Sequence, residues 1–472
     1  MASFNINTLV TTQQVLGVNE AGIIGPDGSL QVFNTPIIAN AANALLVQGS
    51  ILGFNVGVNA TAATALEVVV GQNGSILSNG RAIQADVTDN TRIVNHGSIN
   101  GTITALELTA DGGSAIAVNH DVVNTGVLSS TRGPTVLLEM ANTGFIEFSN
   151  SGQIVSASDA IDNSMSASGL AVFRNTGEIL AGQDLDAFGN VDFAFLGGVV
   201  VEYFINQGFV SGEINMGGGA DFFNGNGGTV SGKVKGGTGN DTLLGGENAD
   251  VLEGGEDADL LIGRGGDDVL AGDAGNDMML GGAGNDEMSG GNSNDTMTGN
   301  AGDDTMEGGA GADLLVGQDG SDVLDGGILD DILDGGNGDD VLEGGSGDDI
   351  LRGRAGEDDL AGGLGSDLLT GGQGADSFVF RTLSETAVGA LRDQVLDFEQ
   401  GVDLIIVAGL SPGIFEFRGT AGFAPSGNPE LRLFETPTGS TIVQLDANGD
   451  GTADAEIRVA NVTGLTADDF VL

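Results

Sequence analysis

Gly236-Gly237-Thr238-Gly239-Asn240-Asp241-Thr242-Leu243-Leu244 is followed at once by Gly245-Gly246-Glu247-Asn248-Ala249-Asp250-Val251-Leu252-Glu253. The nine-residue unit G-G-x-G-x-D-x-U-x, with U a large apolar residue, then continues in register to Val379, sixteen times without insertion or deletion. Position one is glycine in every unit. Position six is always aspartate: Asp241, Asp250, Asp259, Asp268, Asp277, Asp286, Asp295, Asp304, Asp313, Asp322, Asp331, Asp340, Asp349, Asp358, Asp367 and Asp376. Position eight is Leu, Met or Phe from Leu243 to Phe378, while positions two and four admit departures such as Arg264, Asp273, Asn248 and Leu329. Glycine at positions one, two and four permits left-handed backbone and close approach of neighbouring loops. Six residues therefore make a tight turn, and the last three make a short strand whose eighth residue faces inward.

This nonapeptide resembles the calcium-binding repeat of the RTX (repeats-in-toxin) proteins. The resemblance implies that two units form one coil of a right-handed parallel β-roll, so that loops stack eighteen residues apart. Asp241, Asp259 and Asp277 then lie over one another on one edge, and Asp250, Asp268 and Asp286 on the other. Stacked strands are about 4.8 Å apart. Carboxylates at that spacing repel by several kcal/mol each at the dielectric of a protein surface. Calcium removes the repulsion, since it takes roughly 6–8 oxygens from carboxylates and backbone carbonyls. The units offer no nitrogen or sulfur side chain at these positions, which argues against zinc and copper. Eight loops per edge leave seven gaps, hence about fourteen ions. A merely solvated acidic face on a glycine-rich linker would need neither one invariant aspartate nor an apolar residue two places later. Four consecutive position-eight methionines (Met279, Met288, Met297, Met306) read as soft core filler.

The 472-residue chain carries 67 acidic and 14 basic groups, a net −53, with 84 glycines and neither cysteine nor tryptophan. Disulfides and thiol chemistry are excluded, and the charge repels nucleic acid and anionic membranes. A 40 % hydrophobic content is too high for an acidic disordered tail. Residues 236–379 hold 34 acidic and 3 basic groups, so −31 of the charge lies in the repeats, against −13 in residues 1–235 and −9 in 380–472. The first basic residue is Arg81, so the positive region of a secretory signal is not found. The longest apolar runs, such as 404–410, are far too short for a membrane span.

Residues 1–235 repeat more loosely. Turns such as Gln48-Gly49-Ser50-Ile51, Asn73-Gly74-Ser75-Ile76, Asn95-His96-Gly97-Ser98-Ile99, Asn124-Thr125-Gly126-Val127, Asn150-Ser151-Gly152, Asn175-Thr176-Gly177, Asn206-Gln207-Gly208 and Asn226-Gly227-Gly228 alternate with β-rich stretches such as 64–70 and 198–204. One coil per period predicts a parallel β-helix, with asparagine supplying left-handed turns or stacked amide ladders. The turn pattern resembles the passenger regions of bacterial adhesins. A β-helix before a β-roll also resembles alginate epimerases and lyases, which need acid, base and cationic groups. This half has only His96, His120, Tyr203, Arg81, Arg92, Arg132, Arg174, Lys233 and Lys235 to offer. The two histidines both follow Val-Asn, 24 residues apart; stacked turn positions account for them better than a catalytic pair.

Gly409-Leu410-Ser411-Pro412-Gly413 matches a nucleophile elbow, but proline after the serine has no N–H for an oxyanion hole. No H-E-x-x-H is present. Asp446, Asn448, Asp450 and Asp454 have the oxygen spacing of a calcium loop, with Gly451 at the sharp turn. Ile457 replaces the bidentate glutamate and the flanks read as strands, which leaves two readings: a hairpin loop holding a weak calcium, or a plain Asn-Gly turn.

Residues 371–472 resemble the C-terminal region of type I-secreted, serralysin-like RTX proteins through Gly374-Ala375-Asp376-Ser377-Phe378-Val379-Phe380, Asp393-Gln394-Val395-Leu396-Asp397-Phe398, the 448–454 loop and the terminal Asp468-Asp469-Phe470-Val471-Leu472. The resemblance implies a cap that an ABC-type I exporter reads. The expectation is an all-β chain with three parts: a parallel β-helix (solenoid) over 1–235, an RTX parallel β-roll over 236–379, and a C-terminal β cap and secretion region over 380–472. Functionally it reads as a non-enzymatic, secreted, extracellular or cell-surface protein of a Gram-negative-type bacterium that folds on binding Ca2+. Its role reads as structural or adhesive, through self-association or cell-surface glycans, with no nucleic-acid partner and no membrane span. A polysaccharide-modifying enzyme is the alternative and an RTX toxin the third reading.

Overall fold

The computed structural model describes residues 2–16, 20–32, 37–39, 43–60, 65–110, 118–139, 144–164, 166, 168–182, 192–407, 409–410 and 413–472. Ser411 and Pro412 of the elbow-like turn lie outside the described residues, as does Thr64. Within them the chain is all-β, a parallel β-solenoid with an antiparallel C-terminal segment; the one helical turn is the 3-10 turn Ala467–Asp469. Among the described residues no helix is long and apolar enough to cross a membrane. The chain divides into two units, Met1–Glu256 and Asp257–Leu472.

The first unit winds three short strands into each coil. Leu66–Val70, Ser75–Ser78 and Arg81–Val87 form one coil and pair in parallel with Thr91–Asn95, Ser98–Gly101 and Thr104–Ala110 of the next. Alternation of side chains along each strand buries Val68, Val70, Ile76, Ile83, Ala85 and Val87 in the interior. Phe148, Phe173, Phe204 and Phe223 continue that interior as a column with ring centroids 6.1–6.2 Å apart.

The Asn-x-Gly turns owe their composition to stacking. A Cβ on Gly152 would stand 2.1 Å from the carbonyl oxygen of Gly126 one coil away. Asn95, Asn124, Asn150, Asn175 and Asn206 are buried in a ladder, each Nδ2 donating to the next Oδ1 at 2.8–2.9 Å. None of the five adopts a positive φ, so the ladder explains them and the left-handed turn does not. The ordering also starts earlier than the turn pattern indicates: a Cβ on Gly49 would already stand 2.1 Å from the carbonyl oxygen of Gly28.

The two histidines do not occupy equivalent turn positions stacked on one another, and they do not pair. The coil there is 29 residues long, placing Thr91 opposite His120. His120 is therefore a buried strand residue, whereas His96 lies in a turn with Nδ1 2.7 Å from Thr125 Oγ1. Insertion between the turns broke the correspondence that a 24-residue interval suggests.

In the second unit a coil is two nonapeptides. Leu260–Gly265, Met278–Ala283 and Thr296–Ala301 pair in parallel on one wall, Val269–Ala274, Glu287–Asn292 and Thr305–Ala310 on the other, always eighteen residues apart. Position eight fills the space between: Leu261, Leu270, Met279, Met288, Met297, Met306, Leu315 and their successors to Phe378 are buried, each contributing about 1.5–3 kcal/mol. The C-terminal residues end both walls. Glu430–Glu435, Thr441–Asp446 and Ala455–Val459 form an antiparallel meander. Its last strand lies parallel to Gln394–Val395, and Phe470–Val471 lies parallel to Leu404–Ile406.

Candidate metal sites

The sixteen position-six aspartates are all buried. In the second unit they form two ladders, Asp259 through Asp367 and Asp268 through Asp376, in which the backbone N–H of each donates to Oδ1 of the aspartate eighteen residues on, at 2.7–3.1 Å. One carboxylate oxygen is thus committed to the backbone. The other, Oδ2, is buried without a hydrogen-bond partner in Asp277, Asp286, Asp295, Asp304, Asp313, Asp322, Asp331, Asp340, Asp349, Asp358, Asp367 and Asp376. A row of buried anionic oxygens without donors demands a cation or a proton.

Position one completes the geometry. The Cβ position of Gly317 lies 2.0 Å from Asp322 Oδ2 and 2.5 Å from the carbonyl oxygen of Gly335; around Gly290 the corresponding distances are 2.4 Å and 2.6 Å, to Asp295 and Gly308. A carboxylate oxygen and a carbonyl oxygen therefore converge where a side chain would begin. Position-one glycines are required for this space, because their φ is not positive. Positions two and four do need left-handed backbone: Arg264 at φ 81° and Leu329 at φ 80° adopt it at a cost of about 1 kcal/mol or more. Gly317→Ala, harmless on φ grounds, is expected to destabilise by about 1–3 kcal/mol as overpacking and to raise the calcium midpoint of folding seen by circular dichroism. An unchanged midpoint would contradict the assignment of this space to the ligands.

Among the described residues no three His, Cys, Asp or Glu side chains converge on a point. Each gap hence offers two carboxylates and backbone carbonyls, the donor set of a hard cation such as calcium. Burial, and after it the charges of neighbouring carboxylates, push Asp295, Asp304, Asp331, Asp340, Asp349 and Asp367 up to about 7, and Asp358 and Asp376 to about 6. Position five adds a second, exposed row: Asp267, Asn285, Asp303 and Asp339 accept the N–H of the following coil at 2.8–3.1 Å.

Sequence reasoning missed the ladder ends. Asp367 donates its N–H to Asp393 Oδ1 at 3.0 Å and Asp376 to Asp403 Oδ1 at 3.1 Å, across 26 and 27 residues. The signal was present as Asp393-x-Val395 and Asp403-x-Ile405, the D-x-U of the repeat without its glycines. Asp241 lies in the first unit, where Asp221 donates to its Oδ1 at 2.7 Å, and Asp250 Oδ2 there accepts the Gly246 N–H at 2.6 Å. In the 446–454 hairpin loop the acids serve the loop itself. Asp446 accepts the N–H groups of Gly449 and Gly451, both at 2.7 Å, and Asp454 that of Ala447 at 2.8 Å; Asp450 Oδ1 takes Thr452 N–H at 2.9 Å, and Asn448 Oδ1 takes Asp450 N–H at 2.8 Å.

Stacked carboxylates with inward carbonyls and an apolar strand behind them define a class, the all-oxygen cation-binding β-solenoid repeat. Within it these units are RTX calcium-binding nonapeptide repeats. Residues 233–261, 253–288, 262–297, 289–324, 298–333, 325–360 and 352–380 match the family described as RTX calcium-binding nonapeptide repeat (4 copies). Among solved structures, the solution structure of the AlgE6R3 subunit from the Azotobacter vinelandii mannuronan C5-epimerase is similar at 33 % identity, covering 30 % of this chain and 78 % of that one, with a TM-score of 0.25. No curated protein matches the chain.

Proposed function

We propose that the protein is a secreted, non-enzymatic structural or adhesive protein, delivered through an ABC-type I exporter and folded outside the cell by about fourteen calcium ions. The observation that carries the adhesive part is the asymmetry of the roll's outer faces. One wall exposes Met278, Leu314 and Ile332 at position seven beside half-buried Leu260, Ile262, Leu280, Val316, Ile350 and Leu368, with Thr296, Thr298, Asp334, Arg352 and Thr370 among them, and Met278 is 50 % exposed. The opposite wall carries five acids at the same positions, Glu287, Glu307, Asp325, Glu343 and Asp359, among the exposed Val269, Val323 and Val341. A wall poor in acid, with exposed apolar side chains on an otherwise acidic molecule, suits lateral contact with a second copy.

The catalytic alternative has less support. Arg81 is ion-paired with Glu107, and Arg92 with Glu67 and Asp121. Of two surface cavities of similar volume, the one of about 450 Å³ lined by Thr11, Gln31, Val32, Leu52, Gly53, Phe54 and Asn79 presents no acid, base or cation, and the one of about 440 Å³ holds Glu20, Glu67 and Arg92, the last two ion-paired with each other. Adding calcium to the metal-free chain is expected to produce assemblies visible by light scattering and electron microscopy. Replacing Met278, Leu314 and Ile332 by lysine is expected to abolish them. A chain that stays monomeric at every calcium concentration would refute self-association.

A further inference from the structure

The first unit contains the same ladder in disguise. Gly197-Gly198-Val199-Val200-Val201-Glu202-Tyr203-Phe204-Ile205 and Met216-Gly217-Gly218-Gly219-Ala220-Asp221-Phe222-Phe223-Asn224 align with the unit 236–244, because Tyr203, Phe222 and Thr242 share one register row. Glu202 and Asp221 then occupy position six, and the buried Phe204 and Phe223 position eight. Intervals of nineteen and twenty residues, together with Met216 at position one, conceal the repeat in the sequence.

The backbone joins these acids as it joins the others. Glu202 N–H donates to Asp221 Oδ1 and Asp221 N–H to Asp241 Oδ1, both at 2.7 Å. Glu202 Oε1 accepts Gly198 N–H and Asn163 Nδ2, each at 2.9 Å, and Ser166 Oγ donates to Asn163 Oδ1 at 2.7 Å. The Asn163 amide thereby caps the row with a neutral donor, and the anionic ladder begins at Glu202. Glu202 and Asp221 are 0 % and 2 % exposed; their carboxyl groups meet each other, and Glu202 Oε2 and Asp221 Oδ2 find no donor from any other residue. Nearby cations are engaged elsewhere: Lys233 with Glu253, and Lys235 with Glu213 and Glu253.

We propose that Glu202 and Asp221 hold a calcium ion inside the first unit, upstream of the nonapeptide array. The inference rests on the reading that these ladders bind calcium. Two adjacent buried carboxyl groups that meet each other and find no other donor for their second oxygens are the chemistry of a hard divalent cation. An ion here would extend calcium dependence into the β-helix.

The chain carries its own reporter. Tyr203 is its single tyrosine and there is no tryptophan. Terbium emission excited in the tyrosine band therefore favours ions beside residue 203; of the nonapeptides only the first, whose Thr242 lies two strands along the same row, comes near it. In the full-length protein, terbium is expected to give tyrosine-sensitised emission that calcium competes away. Glu202→Gln is expected to raise the half-saturating terbium concentration at least about tenfold, through loss of one of two ligand charges. Asp313→Asn is expected to leave the emission intact. Tyr203→Phe should extinguish the emission while terbium uptake persists, which keeps the test valid if Glu202→Gln fails to fold. Absent emission in the native chain, as a proton shared by the two acids would give, overturns the site, and so does emission that survives both Glu202→Gln and Asp221→Asn. Calcium-induced folding seen by circular dichroism reads the array separately. An intact folding response without emission refutes this site alone, and emission without a folding response refutes the array reading alone.

Discussion

Chelating calcium at about pH 8 is expected to unfold the nonapeptide region, with loss of its β signal in circular dichroism. Extracellular repeat modules bind calcium at ~10⁻⁴–10⁻³ M. Ten-fold saturation of one such site contributes about 1.4 kcal/mol. Over about fourteen sites that is on the order of 20 kcal/mol, more than the ~5–15 kcal/mol by which a domain is ordinarily stable. Without the ions, the buried Oδ2 oxygens from Asp277 to Asp376 would face one another uncompensated. The array should therefore open well before its apolar core would predict. A β signal indifferent to chelation would refute the mechanism.

Acid is expected to replace calcium in part. The ladder carboxyls of Asp295, Asp304, Asp331, Asp340, Asp349 and Asp367 stand at about 7 in the folded, metal-free chain, against an ordinary value of 3.8. The folded state thus binds protons more tightly than the unfolded one. Their stabilising contribution is complete below 3.8, declines as pH rises from 3.8 to about 7, and is gone above that. In chelator, β signal and thermal midpoint should be greater at about pH 5 than at about pH 8. With saturating calcium the order should reverse, since protons then compete with the metal. Measuring the thermal midpoint against pH with and without calcium checks both signs; parallel curves would contradict ladder titration.

The regular array is legible in the linear chain. Its nine-residue period marks the strand, the buried residue and the acid, because each repeat must satisfy the same local stereochemistry as its neighbour. Asn95 through Asn206 are visible as Asn-x-Gly turns, but intervals of 29, 26, 25 and 31 residues leave ladder and left-handed turn equally open until the coils are stacked. Legibility fails wherever coil length varies. His120 falls in a strand because 29 residues, not 24, make its coil. Asp393 and Asp403 are concealed because 26 and 27 residues separate them from the aspartates they continue. Glu202 and Asp221 are hidden by intervals of nineteen and twenty, and by the glycines their units lack.

By itself, then, the sequence determined the all-β solenoid, the position of every aspartate in the regular array and the requirement for a hard cation. Those follow from local periodicity and from charge, which a linear chain displays completely. Only the tertiary structure decided where the ladders begin and end, which carboxylate oxygen the backbone takes, and that position-one glycine clears a space for ligands. These depend on which coil lies against which, and variable loops erase that register from the chain.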